Sequence, residues 1–114
     1  MKKVVIKLSV QDFGIITKLT IDKYNNIIHH DVATLAYKVV FKEISRTIAT
    51  KLFMQSMRSM NNCRDVSIKI IESHALAFYA EFHGEGLTDH TSGIIQEMCK
   101  QIEIQLFIQG EYQV

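Results

Sequence analysis

The chain is poor in the residues that staple, anchor or interrupt a small protein. Its 114 residues hold two cysteines, Cys63 and Cys99, with no CxxC spacing. That pattern indicates neither a zinc site nor a disulfide framework, and two reduced thiols are the expectation. No apolar run is long enough for a signal h-region or a membrane span; residues 4–6 are typical. The reading is cytoplasmic, with no membrane partner. Neither sign of charge dominates: 13 Lys and Arg face 12 Asp and Glu, for a formal net charge of +1. That balance argues against a dedicated nucleic-acid binder and leaves room for a local basic face. Linkers, low-complexity segments and charge blocks are all missing. Proline and tryptophan are absent altogether, which, beside plentiful Ile, Lys and Asn, reads as a compositional bias of the source genome and excludes no fold.

What is there is globular. An apolar share of 47 % and a charged share of 22 % lie far from the signature of disorder, and the length suits one domain, residues 1–114. The hydrophobic pattern plays one figure twice. Val4, Ile6, Leu8 and Val10 alternate with Val5, Lys7 and Ser9, the period of a half-buried strand. After a turn at residues 11–14, Ile15, Thr17, Leu19 and Ile21 continue the alternation as a second strand. Past Asp31, a candidate N-cap, the period lengthens: Val32, Ala36, Val40, Ile44, Ile48 and Leu52 recur every four residues and predict a helix. Such a stripe winds about the helix, so Phe53, Met57 and Met60 fall on another side, either past a break near Thr50 or against a subunit partner. Val66, Ile68 and Ile70 predict a third strand, Glu72-Ser73-His74 a turn, and Leu76, Phe78, Ala80 and Phe82 a fourth strand. A loop through Gly84 and Gly86 leads to the last element. Residues 101–108 fit a strand by strict alternation and a helix by Ile95, Met98, Ile102 and Leu106; composition favours the helix. The expected fold is thus α+β, a two-layer ββαββα sandwich with an antiparallel sheet packed against a long helix and a C-terminal helix.

With this order of elements the chain resembles the ribosomal-processing cysteine protease family, Prp. Gly14 stands where that family's turn glycine opens the second strand, and Asp22-Lys23-Tyr24 occupy its Gly-His-Ala positions. Asp31-Val32-Ala33-Thr34-Leu35-Ala36 stand at its Asp-Ile-Val-Cys-Ala-Ala motif, and residues 94–114 look like its ending. The resemblance implies a groove beside residues 22–34, but the nucleophile position is Thr34 and the base position is Lys23. An alcohol without a placed base does not replace a thiolate near neutral pH. The expectation is a non-catalytic, homodimeric binding module, a pseudoenzyme whose partner by family analogy is a ribosomal or phage protein segment.

Two other constellations compete with it. His29, His30, Asp31 and Thr34 gather at the start of the first helix, which would suit an enzyme of another class. Adjacent histidines do not form the i, i+4 clamp of a helical zinc motif, so no metal or cofactor is expected. Lys38, Lys42 and Arg46 recur every four residues and would suit an anion or nucleotide, although no glycine-rich phosphate loop accompanies them. The candidate binding residues are thus Asp22, Lys23, His29, His30, Asp31, Thr34, Lys38, Lys42 and Arg46, with no catalytic residue among them.

Overall fold

A computed structural model of the chain describes residues 2–28, 30–56, 65–83 and 90–108. Strand β1 (Lys3–Ser9) runs directly into α1 (Val10–Asn26), which is followed by α2 (Val32–Ser56). Strand β2 (Asp65–Ile71) runs directly into α3 (Glu72–Phe82), and α4 (His90–Glu103) continues into a π-helical turn, Ile104–Ile108. β1 and β2 pair antiparallel as a two-stranded sheet. The fold is α+β, but the repeated figure among the described residues is strand–helix–helix, in place of the predicted strand–strand–helix.

Two predicted strands are helices for one physical reason. Residues 13–21 and 75–82 are apolar at both periods, so alternation and helical spacing each find a match; α1 has a side-chain cap that favours the helix, whereas α3 has none and carries only the acid Glu72 in its first turn. In α1 the Ser9 hydroxyl accepts the Asp12 amide at 3.1 Å, and Asp12 places a negative charge in the first turn. The helix then buries Phe13, Ile16 and Thr20, one stripe at the helical period. The Thr20 hydroxyl reaches back to the Ile16 and Thr17 carbonyls at 3.0 and 2.9 Å, which satisfies it in the interior. Gly14, expected in a turn, is an exposed position inside this helix. In α3 the supposed turn residue Glu72 opens the helix, and Ala75, Phe78 and Phe82 form the buried stripe.

The residues gather into two compact units, one of residues up to Leu8 with those from Ser67 onward, the other of Ser9–Val66. In the second unit α1 packs on α2. α2 is continuous through Thr50 to Ser56. Its buried side is Phe41, Ile44, Ser45 and Ile48, whereas Val32 and Ala36, expected in that stripe, are exposed. In the first unit Val4, Ile6, Ile68 and Ile70 are the buried face of the sheet, α3 packs on α4, and α4 buries Ile95, Met98 and Ile102. Residues 101–108 are helical, and Phe107, off the main stripe, meets the Tyr79 ring edge-on at 5.0 Å between centroids. Met57, Met60, Cys63, the Gly84–Gly86 loop and residues 110–114 lie outside the described residues.

The halves correspond residue by residue. Lys3-Val4-Val5-Ile6-Lys7 aligns with Asp65-Val66-Ser67-Ile68-Lys69, sharing Val, Ile and Lys in a Val-x-Ile-Lys motif. At the same offset, the buried Phe13, Ile16 and Thr20 of α1 correspond to Ala75, Phe78 and Phe82 of α3. The buried Phe41, Ile44, Ser45 and Ile48 of α2 likewise correspond to Ile95, Met98, Cys99 and Ile102 of α4 at a second constant offset. The chain carries an internal strand–helix–helix duplication.

Candidate nucleic-acid interface

Of the residues singled out in the sequence, Asp31, Thr34, Lys38, Lys42 and Arg46 have local structural partners. Asp31 and Thr34 form a reciprocal capping box at the start of α2. The Asp31 carboxylate accepts the Thr34 amide at 2.8 Å and the Thr34 hydroxyl at 2.6 Å, while the Thr34 hydroxyl oxygen accepts the Asp31 amide at 3.2 Å. The hydrogen bond from the Thr34 side chain, then that from its backbone, holds the Asp31 carboxyl below its ordinary range. The His30 amide also donates to the Thr34 hydroxyl at 3.2 Å, and His29 lies outside the described residues. Thr34 is thus engaged with its own helix start.

The basic row has contacts of its own. The Lys38 and Lys42 ammonium groups converge on the Tyr24 ring of α1, 4.9 and 5.5 Å from its centroid. Arg46 lies 3.9 Å from the Glu43 carboxylate one turn earlier. Asp22 is exposed and Lys23 half-buried near the end of α1. Asp31 and Thr34 thus form a helix cap, and Lys38 and Lys42 an α1–α2 contact.

A different set converges on the sheet. The Glu72 amide donates to the Lys2 carbonyl at 3.2 Å. Continued along the antiparallel pair, that register sets Val4 opposite Ile70 and Ile6 opposite Ile68, as hydrogen-bonded pairs on the buried face. It sets Val5 opposite Lys69 and Lys7 opposite Ser67 on the other face, as non-hydrogen-bonded pairs, whose side chains stand closest. Lys3, Val5, Lys7, Ser67 and Lys69 are all exposed. Residues 2–8 and 65–71 include four lysines and one acid, Asp65, exposed on the same face at the start of β2, and among the described residues none of those lysines forms an ion pair. The duplication sharpens the picture: repeat-related Lys7 and Lys69 fall symmetrically about the Ile6–Ile68 pair, so the ribbon has its own approximate two-fold axis there.

The outer edge of β1 is closed by side chains of α4 and its π turn. The Val5 amide donates to Gln105 Oε1 at 2.9 Å, and Gln105 Nε2 donates to the Val5 carbonyl at 2.7 Å. Gln101 makes the same pair with Lys7, at 2.7 and 2.9 Å. Two positions along a strand rise about 7 Å and one helical step of four about 6 Å, so side-chain amides one turn apart match alternate strand residues. Each glutamine acts as a surrogate strand residue that masks an edge otherwise open to pairing. The ribbon therefore offers its lysine face while the β1 edge is occupied.

Sequence reasoning passed over this face because it weighed charge over the whole chain; the repeated Val-x-Ile-Lys was the signal present. No protein-family model, no curated protein and no solved structure matches the chain, so the functional reading rests on this geometry.

Proposed function

We propose that the protein is a non-catalytic binding module that lays the exposed face of its β1–β2 ribbon in the major groove of double-stranded DNA. The observation that carries this is the lysine-bearing face of an antiparallel two-stranded ribbon, on which Lys3, Lys7 and Lys69 outnumber the one acid of the two strands, Asp65 at the start of β2. The major groove is about 12 Å wide and admits such a ribbon. Strands stand about 4.8 Å apart, which leaves room for side chains to reach base edges. Lys7 and Lys69 suit guanine O6 and N7 or phosphate, Ser67 can donate or accept, and Val5 suits the thymine methyl. The ribbon's two-fold axis matches the local symmetry of a duplex, which favours sites with a palindromic core. The near-neutral net charge does not oppose this reading, because counterion release depends on the lysines at the contact.

The test is fluorescence anisotropy with a 20-base-pair duplex at several salt concentrations. Affinity is expected to fall steeply with salt, and Lys7→Ala with Lys69→Ala to reduce the log–log slope by roughly 2. Binding with no salt dependence, or unchanged in the double variant, would overturn the proposal.

A second observation favours self-association, which would make the module a homodimer. The first half of α2 exposes Val32 by 82 %, Leu35 by 40 % and Val39 by 36 %, and Ile28 just before it by 75 %. The helical members recur at i, i+3 and i+7, a continuous apolar seam. Light scattering is expected to give about twice the 13.1 kDa of one chain, and Leu35→Glu to return it to one. A monomeric mass for the unaltered chain at high micromolar concentration would remove this reading.

A further inference from the structure

We propose that the cavity between α3 and α4 binds a small aromatic carboxylate. This site is separate from the ribbon face and does not depend on the DNA reading. The cavity measures about 300 Å³, at the lower end of the range of roughly 300–1,000 Å³ that holds small ligands. Its walls are aromatic and apolar, with Tyr79 and Phe82 from α3 and Ile95 and Cys99 from α4. The Tyr79 ring is fixed in place, stacked on His83 with centroids 4.3 Å apart and 10° between planes. A flat apolar ligand body finds matching surface there.

The polar groups decide the ligand's charge. The Tyr79 hydroxyl donates to the Glu103 carboxylate at 3.1 Å, which ties the one anion of the lining to the ring wall while it keeps its charge. His83 Nδ1 lies 2.9 Å from the Tyr79 carbonyl and donates to it. Burial, with a smaller contribution from the Glu103 charge, pushes the Cys99 thiol up to about 11, so it stays neutral and does not compete for a cation. Lys100, also in the lining, is exposed and has no partner among the described residues. An uncommitted ammonium at the mouth of an aromatic cavity asks for a ligand with a flat ring system and a carboxylate. A cationic ligand would instead meet Lys100 unfavourably.

The probe is 2-naphthoate, titrated into the full chain and followed by its own fluorescence anisotropy, which the absence of tryptophan leaves free of indole emission. Saturable one-to-one binding is expected. Replacing the carboxylate by an amide, as in 2-naphthamide, is expected to weaken it about tenfold or more, the loss of one charge-assisted hydrogen bond. Lys100→Gln, at an exposed position that leaves the packing untouched, is expected to do the same to 2-naphthoate and little to 2-naphthamide. Absence of saturable binding at millimolar probe, equal affinity for the two compounds, or an affinity indifferent to Lys100→Gln would each overturn the proposal.

Discussion

At the scale of single residues, Gly14 separates the helix seen in the structure from the hairpin suggested by alternation. It stands exposed inside α1, and a Cβ built there meets nothing within 4 Å. Gly14→Ala is therefore expected to stabilise the chain by about 0.5–1 kcal/mol, because alanine gives up less conformational freedom in a helix. Urea denaturation measures it; a turn glycine with positive φ would give a loss of stability. Asp31 makes a second residue-scale prediction. Its carboxyl titrates lower in the folded chain than its ordinary value, so its contribution is present above the unfolded pKa, near 4, and is lost as pH falls through the lower folded value. The protection of amides in the first turn of α2, relative to their intrinsic exchange at the same pH, is expected to fall on acidification below that range. In Asp31→Ala the first turn is expected to exchange faster from the start and to show little of that pH dependence. An acid response shared equally by the variant would assign the effect to another carboxylate.

At the scale of elements, the edge of β1 depends on two glutamines. Gln105→Ala removes both bonds to Val5, and since the site is exposed, water replaces part of the loss. The expected cost is roughly 0.5–1.5 kcal/mol for each bond not replaced. Gln105→Glu keeps the acceptor for the Val5 amide but sets a carboxylate oxygen against the Val5 carbonyl, so it is expected to cost more than a simple loss of the donor. Urea titration of the two variants checks the order, and two unchanged midpoints would show that the amides do not hold the edge.

The strands themselves were legible from alternation, because Lys3, Lys7 and Ser9 in β1 and Asp65, Ser67 and Lys69 in β2 interleave with Val4, Ile6, Leu8 and Val66, Ile68, Ile70. α1 and α3 were not, because Ile15 beside Ile16, and Leu76 and Ala80 around Phe78, satisfy both periods; the Ser9–Asp12 cap was an available arbiter for α1, and α3 has no side-chain cap. The pairing of Asp31 with the start of α2 was readable, and the geometry gives that pair a capping role. Gln101 and Gln105 carried a readable i, i+4 spacing, but nothing in the sequence says which strand such a pair will meet.

At the scale of the whole chain, the duplication joins these observations. Two strand–helix–helix halves supply one strand each to a common ribbon, and the symmetry between the halves reappears on the ribbon as Lys7 and Lys69 about Ile6–Ile68. The sequence reading recognised a repeat but divided it as strand–strand–helix, and so missed that the matching lysines would meet on one face. A helix-borne basic row, Lys38, Lys42 and Arg46, is the competing anion surface, and its cations already engage Tyr24 and Glu43. The most direct measurement is an NMR titration of the ¹⁵N-labelled chain with a palindromic DNA duplex at low salt. Amide shifts concentrated at Lys3, Val5, Lys7, Ser67 and Lys69 are the expected result. Shifts confined to residues 38–46, or none at all, would contradict the ribbon as the binding face.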